Sequence, residues 1–133
     1  MSPPGTREAV VVVAGVVERS GRVLVTQRLA GTHLAGHWEF PGGKLEDGED
    51  QREGLAREMR EELDVVVEVE EELLTTSFAY PDRLVELHFF RCTCTGEPRP
   101  VLGQPVRWVT RDELRRLLVP SADLELVALL TGP

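Results

Sequence analysis

The most constraining feature of this sequence is a glycine turn that leads into a short helix crowded with carboxylates, between Gly42 and Val65. Asp50 and Glu53 have the Asp-x-x-Glu spacing of a capping box, which is typical of the first turn of a helix. From Asp50 to Leu63 the apolar residues recur every fourth position, which predicts one buried helical face. These residues are Leu55, Met59 and Leu63. The stretch therefore predicts an amphipathic helix packed on a core.

Three glutamates of this helix, Glu58, Glu61 and Glu62, fall together on a neighbouring face. Like charges at spacings of three and four destabilise a helix by roughly 0.2–0.5 kcal/mol per pair. They also lie in the last two turns, where the helix dipole disfavours anions. A solvated charged face is one interpretation, although such faces usually interleave the two signs. A hard divalent cation is the other, because Mg²⁺ prefers carboxylate and phosphate oxygens.

The turn before the helix favours a phosphate ligand. Gly42 and Gly43 permit backbone conformations that other residues avoid, and they let the main chain approach a ligand closely. Lys44 follows them and is the only lysine among fifteen basic residues. A cation, a glycine turn and a carboxylate-rich helix together suit a metal-bound polyphosphate.

This stretch resembles the Nudix box, G-x5-E-x7-R-E-U-x-E-E-x-G-U, in which U is a bulky aliphatic residue. The match runs from Gly43 through Glu49 to residues 57–65, which read REMREELDV. One position departs, because the box has glycine where this chain has Asp64. That glycine would end the helix in a left-handed conformation, which aspartate tolerates better than most residues. We therefore expect a small loss of stability and no loss of chemistry.

The resemblance extends to the MutT-like branch of the family over residues 10–130. That branch hydrolyses nucleoside triphosphates to the monophosphate and pyrophosphate with Mg²⁺, and Mn²⁺ is the alternative ion. The resemblance implies a catalytic set of Glu49, Arg57, Glu58, Glu61 and Glu62. It implies that the metal is held by Glu58, Glu61 and Glu62 with the carbonyl of Gly42. Glu49 would support the metal site, and Arg57 would orient the carboxylates.

Substrate contacts are implied at Arg28, Phe40, Lys44, Asp82, Arg83 and Asp123. Lys44 would hold phosphate, and Asp123 falls where members read the edge of the base. Each position except Lys44 also has a structural explanation. Arg28 could be a solvated charge, Phe40 a core residue, and residues 82–83 a polar turn. Asp123 could simply cap the last helix.

The general base is the open position of the predicted site. MutT-like relatives often place a further glutamate in the loop before the last strand, where this chain has Leu102. Three explanations remain: Glu97 reaches in, a glutamate of the box serves instead, or turnover is slow. The three histidines have no metal-ligand spacing and are expected to be structural or exposed. They are His33, His37 and His88.

Three functions are compatible with this pattern. The leading one is a pyrophosphohydrolase of oxidised purine nucleotides such as 8-oxo-dGTP. The alternative is a CTP or 5-methyl-dCTP pyrophosphohydrolase, because an aspartate at the position of Asp123 occurs in that branch and accepts from a cytosine amino group. A nucleotide-binding module that has lost turnover belongs to a different class. A pyrophosphate-release assay separates the enzymes from the binder.

The composition limits the partners of the chain. A length of 133 residues predicts one Nudix domain over 1–133, with 1–7 as a flexible tail. The net charge of −8 argues against a nucleic-acid polymer, and thirteen carboxylates against four basic residues fall within 42–72. No signal peptide or transmembrane run is recognisable, so we expect a cytoplasmic monomer or homodimer without a membrane partner. Cys92 and Cys94 would form a strained disulfide and are expected to be reduced.

The order of predicted elements favours an α/β fold. Strands are predicted at 9–17, 23–28, 38–40, 65–69, 73–80, 84–94 and 106–109, and helices at 50–63, 110–118 and from 121 or 123 to 130. They mix without a regular βαβ alternation, which suggests a mixed sheet between helices. The Nudix resemblance implies an α/β/α sandwich of this kind, with a loop-helix-loop catalytic motif.

Overall fold

The computed structural model describes residues 9–132, so the tail predicted at 1–7 lies outside the described part of the chain. The strands are β1 (Ala9–Arg19), β2 (Arg22–Gln27), β3 (Trp38–Glu39), β4 (Gly42–Lys44), β5 (Val67–Ala79), β6 (Leu84–Cys94) and β7 (Val106–Val109). The helices are α1 (Gln51–Leu63), α2 (Arg111–Arg116) and α3 (Leu124–Thr131), and a 3₁₀ turn at Ser121–Asp123 leads into α3.

Strand β1 is the centre of a mixed sheet. It pairs in parallel with β6 and antiparallel with β2 and β4. Strand β5 continues the sheet beyond β6, and β2 also pairs with β3 and β7. This arrangement brings the glycine turn of β4 against the middle of β1, where Gly42 lies opposite Ala14 and Gly43 opposite Val13.

The valine run in β1 supplies the core on both faces of the sheet. Val13 and Val17 pack with the apolar face of α1, whereas Ala14 and Val16 pack with residues of α2 and α3. The three valines are fully buried. A strand covered on both faces needs a nearly continuous apolar sequence, which explains the run. The predicted α/β/α sandwich with a mixed sheet is confirmed.

Helix α1 begins and ends as its sequence predicts. The Asp50 carboxylate accepts from the backbone N–H groups of Arg52 (3.0 Å) and Glu53 (3.2 Å). At the other end, Asp64 adopts φ 52° and ψ 41°, and its N–H donates to the Arg60 carbonyl at 3.1 Å. The left-handed conformation expected at Asp64 is therefore confirmed, and aspartate accepts it in place of glycine.

Some element boundaries differ from the prediction. The acids at 70–72 were expected to separate two strands, but β5 runs through them with register shifts on both sides of Glu72. Such irregularities keep an acidic run within a strand while its side chains face solvent. Residues 42–44 were expected in a loop and instead form β4. Helix α2 ends at Arg116 rather than Leu118.

Other sequence expectations concern thiols and membrane spans. Cys92 and Cys94 are free, as expected, and burial raises the pKa of the Cys92 thiol to about 12. Within residues 9–132, none of the helices combines the length and the apolarity needed to cross a membrane.

One buried histidine joins three elements of the fold. His88 of β6 has Nδ1 2.7 Å from a Glu72 oxygen and Nε2 2.7 Å from a Glu86 oxygen, and Gln51 of α1 lies 3.4 Å away. Neutral imidazole carries one N–H, so both carboxylate contacts are hydrogen bonds only when the ring is protonated. Burial alone would lower the pKa of His88, but the hydrogen bonds to Glu72 and Glu86 outweigh it and raise that pKa.

We expect the free energy of unfolding to fall as the pH rises through the folded-state pKa of His88. That pKa lies above the unfolded value of about 6.5, so the imidazolium contacts stabilise the fold fully below that pH and are lost above the folded pKa. His88→Gln should flatten this part of the profile. Denaturant unfolding from about pH 6 to about pH 9 measures both slopes. Equal slopes in the two proteins would contradict the assignment.

Candidate active site

The glycine turn is in contact with the carboxylate face of α1. A Cβ atom on Gly43 would lie 2.5 Å from Cδ of Glu58, and one on Gly42 would lie 2.0 Å from the carbonyl oxygen of Val13. Neither glycine adopts a positive φ. The sequence-based expectation of an unusual backbone conformation is therefore wrong for these two residues. They are needed because β4 passes close to β1 and to Glu58, which leaves no room for side chains.

Arg57 holds several of the carboxylates in place. Its Nε and Nη2 donate to the two oxygens of Glu49 at 2.7 and 3.0 Å. Its Nη1 donates to Glu61 at 3.0 Å and lies 3.2 Å from Glu58, and Nη2 donates to the Lys44 carbonyl at 3.3 Å. Such charge-assisted pairs are short and directional. Arg57 thus connects the glycine turn to both ends of the carboxylate cluster.

Both carboxylate oxygens of Glu49 accept hydrogen bonds from Arg57. The hydrogen bonds from Arg57, followed by one from the backbone N–H of Glu46, hold the pKa of Glu49 below its usual range. A carboxylate whose two oxygens both accept hydrogen bonds is a poor proton acceptor. The geometry therefore suits Glu49 for supporting other groups rather than for taking a proton.

Glu58 and Glu62 form a crowded pair, in which Arg57 offsets part of the charge of Glu58 but not that of Glu62. Burial raises the pKa of Glu58. Burial, and then the charge of Glu58, raise the pKa of Glu62 to about 8. Glu61 differs, because its side chain is 58% exposed and turned to Arg57. Among residues 9–132, no three His, Cys, Asp or Glu side chains converge as a ready-made ligand set. The structure thus brings two of the three predicted ligands together.

The chemistry of this pair fits a divalent cation. The two half-buried carboxylates repel each other, and Glu58 lies beside Gly43, the residue that follows the predicted carbonyl ligand Gly42. Hard cations such as Mg²⁺ prefer oxygen donors of this kind. Glu58, Glu62 and the Gly42 carbonyl are the groups that would hold the ion.

A cavity of about 290 Å³ opens beside the glycine turn, close to the lower limit for small-molecule sites. Five of the six predicted substrate contacts line it, namely Arg28, Phe40, Lys44, Arg83 and Asp123. Asp82 is not among the lining residues, and its side chain is 76% exposed on the turn between β5 and β6. Phe40 is also a core residue, because its ring packs edge-on against Phe89 with centroids 5.9 Å apart.

Asp123 faces the cavity rather than the helix that follows it. It occupies the residue before α3 but makes no side-chain capping hydrogen bond, and it is 6% exposed. The explanation of Asp123 as a simple helix cap is therefore wrong. Burial, and then the nearby charge of Glu39, raise the pKa of Asp123 to about 7 against the opposing effect of Arg28. The Asp123 carboxyl has no side-chain hydrogen-bond partner within residues 9–132, and a buried carboxyl of this kind is suited to bind a ligand.

Among the charged and aromatic lining residues, three were not predicted as site residues: Glu39, Tyr80 and His33. Glu39 accepts from Arg28 Nε at 3.0 Å, and burial raises its pKa in spite of that arginine. Its signal was present, because an acid between Trp38 and Phe40 in a strand points away from both aromatic side chains. The rings of Tyr80 and His33 meet edge-on with centroids 5.8 Å apart, a contact across distant loops that no local pattern indicates.

A second cavity of about 250 Å³ shares two lining residues with the first, Arg28 and Glu39, and is also lined by Glu62, Leu102 and Gln104. Leu102, at the position where a general base was expected, is 59% exposed at this cavity. Glu97 does not take its place: it is ion-paired to Arg19 at 2.7 Å and lines neither cavity.

The two glycines of the turn should respond differently to alanine. Gly42→Ala places a methyl group on the β1 backbone, so we expect a loss of about 2 kcal/mol or more in unfolding free energy. Gly43→Ala meets only the flexible end of Glu58, so we expect the fold to persist and the stabilisation by Mg²⁺ to disappear. Thermal melts of both variants with and without Mg²⁺ measure this difference. Full Mg²⁺ stabilisation in Gly43→Ala would contradict the placement of Glu58.

Comparison with known proteins agrees with this geometry. The model of the NUDIX domain family matches residues 12–129. The chain is 35% identical over 117 residues to the CTP pyrophosphohydrolase of Escherichia coli strain K12, covering 87% of each chain. It is 32% identical over 123 residues to the 8-oxo-dGTP diphosphatase of Haemophilus influenzae, covering 91% of this chain and 90% of the relative.

A solved structure has the same fold as this chain. The solution structure of the E. coli ORF135 protein superposes with a TM-score of 0.84 at 33% identity, covering 97% of this chain and 93% of the other. The family match spans most of the chain and includes both the glycine turn and the carboxylate helix. The chain therefore belongs to the NUDIX domain family of hydrolases.

Proposed function

We propose that this chain is a Mg²⁺-dependent pyrophosphohydrolase that converts nucleoside triphosphates to the monophosphate and pyrophosphate. The observation that carries the proposal is the Glu58–Glu62 pair, of which Glu58 lies against Gly43, a residue that lines the same cavity as Lys44 and Asp123. Relatives named as diphosphatases or pyrophosphohydrolases of nucleotides support it.

The two ends of the cavity suit the two ends of a nucleotide. Lys44 and the N–H-bearing backbone of the glycine turn offer positive partners to phosphate oxygens at one end. The buried carboxyl of Asp123 offers a hydrogen-bonding group for the base at the other, with Arg28 and Tyr80 nearby. The nucleotide would therefore place its phosphates next to Glu58 and Glu62.

Each group of the carboxylate cluster has its own task in hydrolysis. A bound Mg²⁺ supplies charge neutralisation at the phosphate oxygens. Arg57 keeps Glu49 and Glu61 oriented and limits the repulsion in the cluster. Since position 102 is leucine and Glu97 is held by Arg19, the proton of the attacking water passes to a carboxylate of the box itself.

The substrate that we favour is an oxidised purine nucleotide such as 8-oxo-dGTP, and CTP is the second candidate. Arg28 and Arg83, which line the cavity at predicted positions, support the first. Asp123 supports the second, because an ionised carboxylate accepts from the cytosine amino group. Pyrophosphate release from canonical and oxidised nucleotides with Mg²⁺ tests the proposal. Release from none of them would leave a nucleotide-binding module instead.

Glu62→Gln should separate the metal role from the fold. We expect hydrolysis to be abolished, and the stabilisation by Mg²⁺ to be lost, because one of the two paired carboxylates is removed. Without Mg²⁺ the variant should be at least as stable as the wild type, since it relieves the repulsion from Glu58. Glu53→Gln, at an exposed acid in the first turn of the same helix, is the control. An active Glu62→Gln enzyme that Mg²⁺ still stabilises would contradict the site.

Asp123→Asn should change the preference between bases. We expect the ratio of kcat/KM for CTP to that for 8-oxo-dGTP to fall by about tenfold, because asparagine replaces a pure acceptor with a mixed donor and acceptor. The assay belongs at about pH 8.5, where Asp123, with its pKa of about 7, is ionised. Asp82→Asn, on the exposed turn, is the matched control. An unchanged ratio would remove Asp123 from base recognition.

A further inference from the structure

The C-terminal end of α1 is held by the loop at residues 96–105. The Glu62 carbonyl accepts from the backbone N–H of Val101 at 3.2 Å, and the Leu63 carbonyl accepts from that of Arg99 at 2.7 Å. Helix ends leave their last carbonyls without intrahelical partners, so this loop satisfies groups that would otherwise need water. It thereby fixes the position of the helix turn that carries Glu62.

A single buried side chain completes this contact. Gln104 is 6% exposed, and both ends of its amide are used. Its Oε1 accepts from the backbone N–H of Leu102 at 3.0 Å, and its Nε2 donates to the Glu62 carbonyl at 3.1 Å. The amide therefore joins the loop to the backbone of Glu62, whose side chain belongs to the crowded carboxylate pair.

The side chains of Gln104 and Glu62 also line the same cavity, next to Arg28 and Glu39. A change at Gln104 consequently acts on Glu62 in two ways. It removes one of the two hydrogen bonds that the carbonyl of Glu62 accepts, and it alters the space into which the Glu62 carboxylate can turn.

The loop does not depend on Gln104 alone for its attachment. The backbone bonds from Val101 and Arg99 remain without it, and Pro105 accepts from the Gln27 N–H at 3.0 Å. Removing the Gln104 amide should therefore leave the loop on the helix while freeing the orientation of Glu62. This separates a positioning effect from a general loss of fold.

We propose that Gln104 is a positioning residue that sets the Glu62 carboxylate for the divalent cation without touching the substrate. The proposal rests on the proposed function, because it assumes that Glu62 is a metal ligand. Groups that orient metal ligands typically change metal affinity by about tenfold to a hundredfold when they are removed. Gln104 is expected to act on metal affinity in this range.

The test compares Gln104→Leu and Gln104→Glu with the wild type. Leucine has a similar size and removes both hydrogen bonds, whereas glutamate keeps an acceptor for Leu102 and loses the donor to Glu62. We expect both variants to fold and the Kd for Mg²⁺, measured by calorimetry without nucleotide, to rise about tenfold or more. The nucleotide KM at saturating Mg²⁺ should stay within about twofold, because uniform substrate binding is intact.

Gln51→Leu is the matched control, since Gln51 is a glutamine of the first turn of α1 whose amide contacts His88. It should leave the Mg²⁺ affinity unchanged. An equal change in Gln51→Leu, an unchanged Mg²⁺ affinity in the Gln104 variants, or a loss of fold in both of them would overturn the assignment. If the wild type itself neither binds Mg²⁺ nor releases pyrophosphate, the proposed function fails, which is a distinct outcome.

Discussion

The bidentate contact between Arg57 and Glu49 is the interaction on which the site depends. The guanidinium of Arg57 donates to both carboxylate oxygens of Glu49, and it also donates to Glu61 and to the Lys44 carbonyl. It fixes the start of the box, the glycine turn and the middle of α1 relative to one another. Arg57 also lies 3.2 Å from Glu58, but burial and the charge of Glu58 still raise the pKa of Glu62.

The glycine turn connects the two faces of the sheet. Gly43 touches Glu58 on the α1 side, and the same turn lines the cavity that Asp123 closes at the start of α3. The glycine turn therefore adjoins both the carboxylate helix and the cavity. The narrow spacing of β4 and β1 makes this possible, and only glycine permits that spacing.

Patterns local in sequence predicted the fold well. The valine run of β1 indicated a strand covered on both faces, and the fourfold period of α1 located the buried face of that helix. The predicted break between strands at residues 70–72 was wrong, because the local charge does not indicate the register shifts between β5 and β6.

The sequence predicted only those parts of the site whose residues lie close together along the chain. The helix period placed three glutamates on one face, but it did not show that Glu61 is exposed and bonded to Arg57 while Glu58 and Glu62 are partly buried. Asp123 had two explanations, base recognition and a helix cap, until the structure showed its side chain in a cavity. Gln104 lies 42 positions from Glu62 in the sequence, so tertiary structure alone reveals their contact.

The carboxylate pair of α1 is proposed to bind a divalent cation at the glycine turn. Crystals grown with Mn²⁺ test it most directly, because anomalous scattering locates the ion independently of any refinement. We expect an anomalous peak at coordination distance from Glu58, Glu62 and the Gly42 carbonyl. A peak confined to the acidic run at 70–72, or none on the chain, would contradict it.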